Sequence, residues 1–568
     1  MPGEPGDATV PVPRRPLSVG GGRQPPRPVD SPGLPADQGW FVGPLNPSAR
    51  ELARLRQVAL GAVEADLAVR GAMVAVVHTG ELLARDVLIV GRFIAAVTAH
   101  GLFPARRSLD ASGLYVLPGY LDTALPVEHT LLTAGELARL VVPLGTTTVV
   151  ATPSGAATAL GRAGLELLTA TKTPLRILPA SVGGGPRRSF GPAAGFGGST
   201  VDDLHGNVLD PMLDALLDPL AGRGARTVAD LADDGHVDHD VRRGVAGGAP
   251  PGDARRRPTL SRARRARLEH VLGSVTPSHL ADLQLVGEPG AAGPPELVIA
   301  SGRIAAERGR PLFDNLDLVP DWANDTVRIG AGLSARSFAV PATGARAWVQ
   351  AAEVVPVTAD GRGGPAICRT RAFHADLPVR DGGVVADPSR DVLKIAIVDR
   401  HEASDAVGVG FVRGFGLARG ALAATTNDEN GNIVVVGAND DDMLTALRAL
   451  EGMGGGFVAV DRGWVRAACP LSVAGIVSDG TWEAALENVR GVNTVAAELG
   501  CQLEAPFLTL AFTGRTDVGD LGLTERGLVD VAAGGLAPVV LGLEGGRPTC
   551  RCPSHGAEVH RIFDGAAR

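Results

Sequence analysis

The chain has 568 residues, 45% of them apolar and 20% charged, with a formal net charge of −8. That length allows about two to four domains, and the composition is that of a soluble globular protein. The modest acidity argues against a general nucleic-acid binder, no apolar run approaches the ~18 residues of a membrane span, and the scattered cysteines make no disulfide framework.

Residues 1–48 are rich in Pro, Gly and Arg and lack apolar periodicity, so a disordered tail is expected there. No apolar core follows its arginines, so it is not read as a signal peptide, and the cytoplasm is the expected compartment. Leu52, Leu55, Val58 and Leu60 have near-helical spacing. Four short β-type runs follow, Asp66–Val69, Met73–Val77, Asp86–Val90 and Phe93–Val97, which reads as a meander. Val116 to Glu128 reads as an apolar strand that ends on a polar tip, preceded by a Pro-Gly turn. Thr133 with Glu136 has the spacing of a capping box opening a helix. Gly145–Val150 is then a second, β-branched strand, completing a β-α-β unit that favours a parallel sheet or barrel. Leu175–Ala180 is a candidate third strand. Gly183–Thr200 has no periodicity and reads as a loop or insert.

Helices are expected over Asp210–Leu220 and Thr227–Ala246, and Arg255–Arg267 reads as a solvated arginine-dense helix face. Beta patterning returns at Ala281–Val286 and Glu296–Ile304. Beyond Val340 an α+β pattern follows, with strands at Val392–Val398, Asn432–Gly437 and Phe457–Val460. Between the last two, Asp440–Glu451 carries acidic residues in its first turn and an apolar stripe of Met443, Leu444, Leu447 and Leu450.

Val116–Glu128 resembles the first barrel strand of the amidohydrolase superfamily, P-G-x-x-D-x-H-x-H-x-E. Pro118, Gly119, Asp122 and Glu128 are present, but the two histidine positions hold Ala124 and Pro126. Further motifs are similar to the adenine deaminase family. They are Gly410–Ala423, Asn432–Met443, Met453 with the glycines after it, Leu471–Asp479, the E-L-G-C at Glu498, the P-F-L-T-L-A-F at Pro506, and the R-G-L-V-D-V at Arg526. The resemblance covers roughly residues 65–180 and 226–533.

It implies an α/β, amidohydrolase-like fold: a truncated or incomplete (β/α) barrel, a composite β-sandwich built from two segments, and a C-terminal α+β adenine-deaminase domain. The expected boundaries are a tail at 1–48, the sandwich at 49–115 and 274–340, the barrel at 116–273, the C-terminal domain at 341–545 and a flexible tail at 546–568. From Val116 to Gly273 there are only about 160 residues, against the ~200 to 250 of a full barrel.

The resemblance also implies a reaction, adenine and water giving hypoxanthine and ammonia. In the family two divalent metals, Mn or Fe, supply hydroxide near neutral pH, and an acidic residue carries the proton to the leaving ammonia. Here the parts are missing position by position. Ala124 and Pro126 cannot ligate a metal. The family's D-P-H-E reads Thr152-Pro153-Ser154-Gly155, and its T-D-D has no clear counterpart, the nearest being Thr227–Asp230. In the C-terminal domain the family's A-H-D-S-H-N reads Asn427–Asn432, with only the final Asn kept.

Asp122 and Glu128 remain as catalytic candidates, and Asp428, Glu429 and Asn432 as substrate-binding ones. His236 and His239, three apart, read as structural or surface residues. Cys550, Cys552, His555 and His560 form the one tight cluster of soft ligands, a separate zinc candidate set against a flexible tail. No cofactor is expected from the residues, or Mn or Fe if the family activity is retained. A purine-like small molecule and a second copy of the chain are the expected partners, with no nucleic acid and no membrane. The reading is a non-catalytic adenine deaminase homologue; the alternatives are an active aminopurine deaminase with an altered metal site, and a zinc-stabilised tail module.

Overall fold

In the computed structural model the described residues are 40, 44–123, 125–151, 154–169, 172–179, 227–248, 256–288, 293–315, 317–357, 367–427, 431–517, 519–544 and 547–549. Residues 1–39 of the expected N-terminal tail, the Gly183–Thr200 stretch, the helix expected over Asp210–Leu220 and residues 550–568 lie outside that description. The fold is mixed α/β.

Helix α1 (Ala49–Ala59) is opened by a reciprocal cap between Ser48 and Glu51. The first two expected strands are one, β1 (Leu67–Val76), bulged between Val69 and Ala72. It pairs with β2 (Glu81–Val90), and β2 with β3 (Phe93–Thr98). Strand β4 (Ser108–Asp110) runs parallel to the start of β1, and β5 (Tyr115–Pro118) to its end.

The single strand expected over Val116–Glu128 is not one. It breaks after Pro118, because Gly119 packs where any Cβ would collide with Thr147, and its N–H donates to Asp282 O at 2.8 Å. The chain then enters a different sheet as β6 (Tyr120–Asp122). It next forms a 3-10 turn at Val127–Thr130, so Glu128 and His129 are not strand residues.

Strand β6 pairs in parallel with β7 (Thr146–Ala151), and β7 with β8 (Arg176–Pro179). Between β6 and β7 lies α2 (Ala134–Val141), and after β7 comes α3 (Ser154–Thr169), broken at Gly161. Thr133 does begin α2, but the expected capping box is absent. Glu136 is buried and accepts instead from Arg139, Asn315 and the Trp482 N–H.

The helix expected over Thr227–Ala246 is two, α4 (Val228–Asp234) and α5 (Val237–Ala246), separated at Gly235 with φ of 84°. The arginine-dense stretch ends in a single turn, α6 (Arg262–Arg265). Arg262 there is buried, with its guanidinium donating to Leu121 O at 2.7 Å.

The chain returns to the first sheet through β9 (Leu283–Val286), β10 (Leu297–Ala300), β11 (Arg303–Glu307) and β12 (Arg310–Pro311). The hydrogen-bonded order is β12-β11-β10-β9-β5-β1-β2-β3, with β4 on β1. Segments separated by more than 150 residues therefore meet at the β5–β9 pair, where Val116 faces Leu285.

His279, just before β9, is buried. Its Nε2 lies 2.9 Å from Glu269 O, and its Nδ1 lies 3.2 Å from Ser274 Oγ. Burial, with smaller contributions from His78 and His270, pushes its pKa down to about 4. The unfolded chain takes up this proton near pH 6.5 and the folded chain only near 4, so stability falls as pH drops between those values. Going from pH 7 to pH 5 is expected to remove about 2 kcal/mol through this residue. Urea unfolding at both pH values checks it: His279→Gln should lose that share of the pH dependence, and an unchanged dependence would reject the assignment.

The second sheet begins with a long hairpin, β13 (Arg346–Val357) and β14 (Ile367–Arg380), and its order is β15-β14-β13-β17-β16-β19-β18-β20-β21. The remaining members are β15 (Gly383–Val384), β16 (Leu393–Val398), β17 (Val407–Arg413), β18 (Ala421–Ala424), β19 (Ile433–Gly437), β20 (Gly456–Asp461) and β21 (Trp464–Pro470). Helix α7 (Asp440–Gly452), capped by Asn439, packs the expected Met443–Leu447–Leu450 stripe against β18, β19 and β20. Helices α8 (Trp482–Glu498) and α9 (Pro506–Thr513) contribute to a core shared with α2, β7 and β8. A small sheet, β22 (Leu521–Thr524), β23 (Gly527–Asp530) and β24 (Gly535–Leu536), closes the chain's described part apart from a terminal two-stranded ribbon. Among the described residues no helix is long and apolar enough to cross a membrane.

Candidate functional site

Sequence reasoning places the candidate residues at the polar end of β6 and in the loop before β19. The structure gives each described one a local task. Asp122 ends β6, with its Oδ2 2.8 Å from His236 Nε2 and its Oδ1 3.9 Å from the Arg262 guanidinium. His236 is 1% exposed, and its other ring nitrogen lies 2.8 Å from Thr146 Oγ1. Thr146 is fully buried at the start of β7. Asp122, His236 and Thr146 form an acid–imidazole–hydroxyl row, but its central ring and its hydroxyl have no face toward solvent. A substrate therefore has no route to the hydroxyl, and the row ties α5 to the parallel sheet. His236 thus has a structural role, and its link to Asp122 spans too much chain to be read from spacing.

Glu128 sits on the 3-10 turn and is 8% exposed. Its two oxygens accept from the N–H of Gly155 at 3.0 Å and of Ala156 at 2.6 Å. Those amides belong to the first turn of α3, whose unpaired N–H groups and dipole favour a carboxylate. Glu128 therefore caps α3, one amide on each carboxylate oxygen. His129 is turned the other way, its ring edge-on to Phe512 of α9 at 5.5 Å. Pro126 precedes the turn in extended conformation; Ala124 lies outside the described residues. Thr227, nearest to the missing T-D-D, makes a reciprocal cap with Asp230 at the start of α4.

In the C-terminal part, Asn432 is buried and bridges two loops. Its Nδ2 donates to Glu525 at 3.2 Å and its Oδ1 accepts from the Arg400 backbone at 3.4 Å. Asp428 and Glu429 lie outside the described residues, as do Cys550, Cys552, His555 and His560.

One polar residue that the sequence did not single out stands at this junction. Arg400 is fully buried at the end of β16, and its guanidinium donates to Gly431 O and, at 3.0 Å, to Ala474 O. Burial pushes its pKa down to about 10. Gly475 has φ of 69°, and a Cβ there would collide with this guanidinium. Its neighbour Asp399 is held below the usual carboxylate range. Burial alone would raise it, but the Ser404 hydroxyl and the N–H groups of His401, Glu402 and Ser404 outweigh that. The loop carrying Ala474 also reaches the 3-10 turn, where the Ser478 N–H donates to Leu131 O at 2.8 Å. The two halves of the candidate region are thus joined by backbone contacts.

Among the described residues no three His, Cys, Asp or Glu side chains cluster so as to hold an ion. Of the two retained motif acids, Glu128 caps α3 and Asp122 faces His236, whose ring also meets Thr146, while the His129 ring meets Phe512. The donor set among the described residues does not fit a divalent metal centre.

Comparison with known proteins bears on the whole chain. Residues 368–534 match the family model of the adenine deaminase C-terminal domain. The adenine deaminase of Brucella anthropi is 30% identical over 573 residues, covering 84% of this chain and 98% of that protein. That of Methylobacterium nodulans is 30% identical over 575 residues, covering 85% and 98%. That of Moorella thermoacetica is 29% identical over 592 residues, again covering 85% and 98%.

Proposed function

This chain belongs to the adenine deaminase family, and from that premise we propose that it is a non-catalytic homologue that keeps the family scaffold without its metal centre. The observation that carries this reading is Glu128. It is the last carboxylate of the first-strand motif, and both its oxygens are occupied by the α3 amides, beside histidine positions that hold Ala124 and Pro126. A bound metal would have to compete with those hydrogen bonds and find its remaining ligands elsewhere.

On the same reading, β6, β7 and β8 are what is left of the family's barrel, and the first nine-stranded sheet is its composite sandwich. The short interval between β8 and β9 supports this, since about 100 residues cannot supply the remaining strand–helix pairs of a full barrel. The protein then acts in the cytoplasm by binding, with a purine-like small molecule and a second copy of itself as partners.

The test is metal content. Protein purified from medium supplemented with manganese and iron is expected to hold less than about 0.1 ion per chain. Near-stoichiometric manganese or iron would overturn the proposal and favour an active aminopurine deaminase with an altered site.

A further inference from the structure

Arg400 carries a donor that none of the described residues satisfies. Its side chain is wholly buried, with Nε donating to Gly431 O and Nη1 to Ala474 O at 3.0 Å. Nη2 is buried too, and has no hydrogen-bond partner among the described residues. Among those residues no carboxylate answers its charge, and burial alone acts on its pKa. Of the nearby acids, Asp399 accepts from the amides and hydroxyl of its own loop, and Glu525 accepts from Asn432. A charge left uncompensated inside a protein is costly, and a water on Nη2 would satisfy the hydrogen bond without answering the charge.

The space beside Nη2 belongs to Gly431. A Cβ on Gly431 would lie 3.5 Å from Nη2 and 3.6 Å from His401 Nε2, both ordinary contact distances, so a heavy atom fits in touch with the two nitrogens. His401 is exposed, which opens this point to solvent. Two carbonyls already hold the guanidinium in place, so little ordering remains to be done on binding. With Nε and Nη1 engaged, one nitrogen is left to donate. The two-nitrogen grip that suits phosphate is therefore closed, and a single negative charge balances the site.

We infer that Arg400, with His401, holds a small monovalent anion over Gly431, either the carboxylate of a short organic acid or a halide ion. The site goes beyond the proposed function and does not depend on whether the chain is catalytic.

Urea unfolding of the full chain in sodium formate, chloride or gluconate, each at about 100 mM, tests it. Gluconate is too bulky for the space beside Gly431 and serves as the reference at equal ionic strength. With a Kd of about 10 mM, formate should favour the folded state about tenfold over gluconate. A gain in formate alone assigns a carboxylate site, and a gain in chloride, alone or equal to that in formate, a halide site. Gly431→Ala keeps Arg400 but fills the space, and should abolish the gain. His401→Gln leaves the carbonyl contacts of the guanidinium intact, and should reduce the gain about threefold. No advantage of formate or chloride over gluconate in the unaltered chain would overturn the inference. So would a gain that Gly431→Ala or, should that variant not fold, His401→Gln leaves whole.

Discussion

Supplied with adenine and with manganese or iron, the purified protein is expected to release ammonia no faster than a buffer blank. The reason lies in what the metal would supply. Bulk water has a pKa of about 15.7 and metal-bound water can approach ~7, a difference worth roughly 12 kcal/mol in making hydroxide available. Without it, the attacking hydroxide at neutral pH is only the trace present in solvent. On the proposed reading, no described residue takes over that task. Asp122 and His236 are engaged with each other, Glu128 caps α3, and Asp399 is enclosed by the amides of its own loop.

The double change Ala124→His with Pro126→His is expected not to restore the rate either. It returns two imidazoles to a motif whose partners, at Thr152, Ser154 and Gly155, lack carboxylate and imidazole. Enzymes accelerate their reactions by 10⁶-fold or more, so even a rate 10³ above the blank in the unaltered chain would contradict this account. A coupled ammonia assay with a Brucella-type relative as positive control reads the difference directly.

What could be read from the sequence follows from how far apart the interacting residues are. The β-α-β unit from Tyr120 to Ala151 was legible because its signals are local: a β-branched run at Thr146–Val150 and an apolar stripe on α2. Helix α7 was legible to within a residue or two for the same reason. The family motifs carried further because they record close packing. Gly420, within the Gly410–Ala423 motif, has φ of 76°, and a Cβ there would collide with the Val460 carbonyl. A glycine in such a position is required by the backbone and its close packing, not by the site's chemistry.

The tasks of the polar residues were not legible. Glu128 meets its amides 27 and 28 residues on, His236 meets Thr146 across 90 residues, and Arg400 meets Ala474 across 74. Local pattern cannot report such pairings, since burial of one partner is set by elements the other does not touch. The capping-box reading at Thr133 shows the converse. The spacing was right, but a stronger set of partners, Arg139, Asn315 and the Trp482 amide, took the Glu136 carboxylate.

The pairing of Arg176 with Asp282 sets the largest expected effect on stability. Both side chains are at most 5% exposed, and they meet at 2.7 Å. Arg176 rises from β8, donates also to Thr148 Oγ1 on β7, and reaches Ser301 Oγ in the turn after β10, each at 3.0 Å. Asp282 in turn accepts from the Ser301 N–H at 2.7 Å, while its own carbonyl receives the Gly119 N–H. The pair therefore fastens the parallel sheet to the first nine-stranded sheet, at the point where the chain passes from one to the other.

Arg176→Ala would leave a carboxylate buried without its counter-charge, and is expected to cost about 3 to 5 kcal/mol. Replacing both partners, Arg176→Met with Asp282→Leu, should cost less than the two single changes combined, because no charge is then stranded; what remains is the unpaired Ser301 amide, about 1 kcal/mol. Urea unfolding of the four proteins in this cycle gives the coupling energy. A coupling below about 0.5 kcal/mol would mean that the two sheets are held by apolar packing alone, with the ion pair a passenger in their interface.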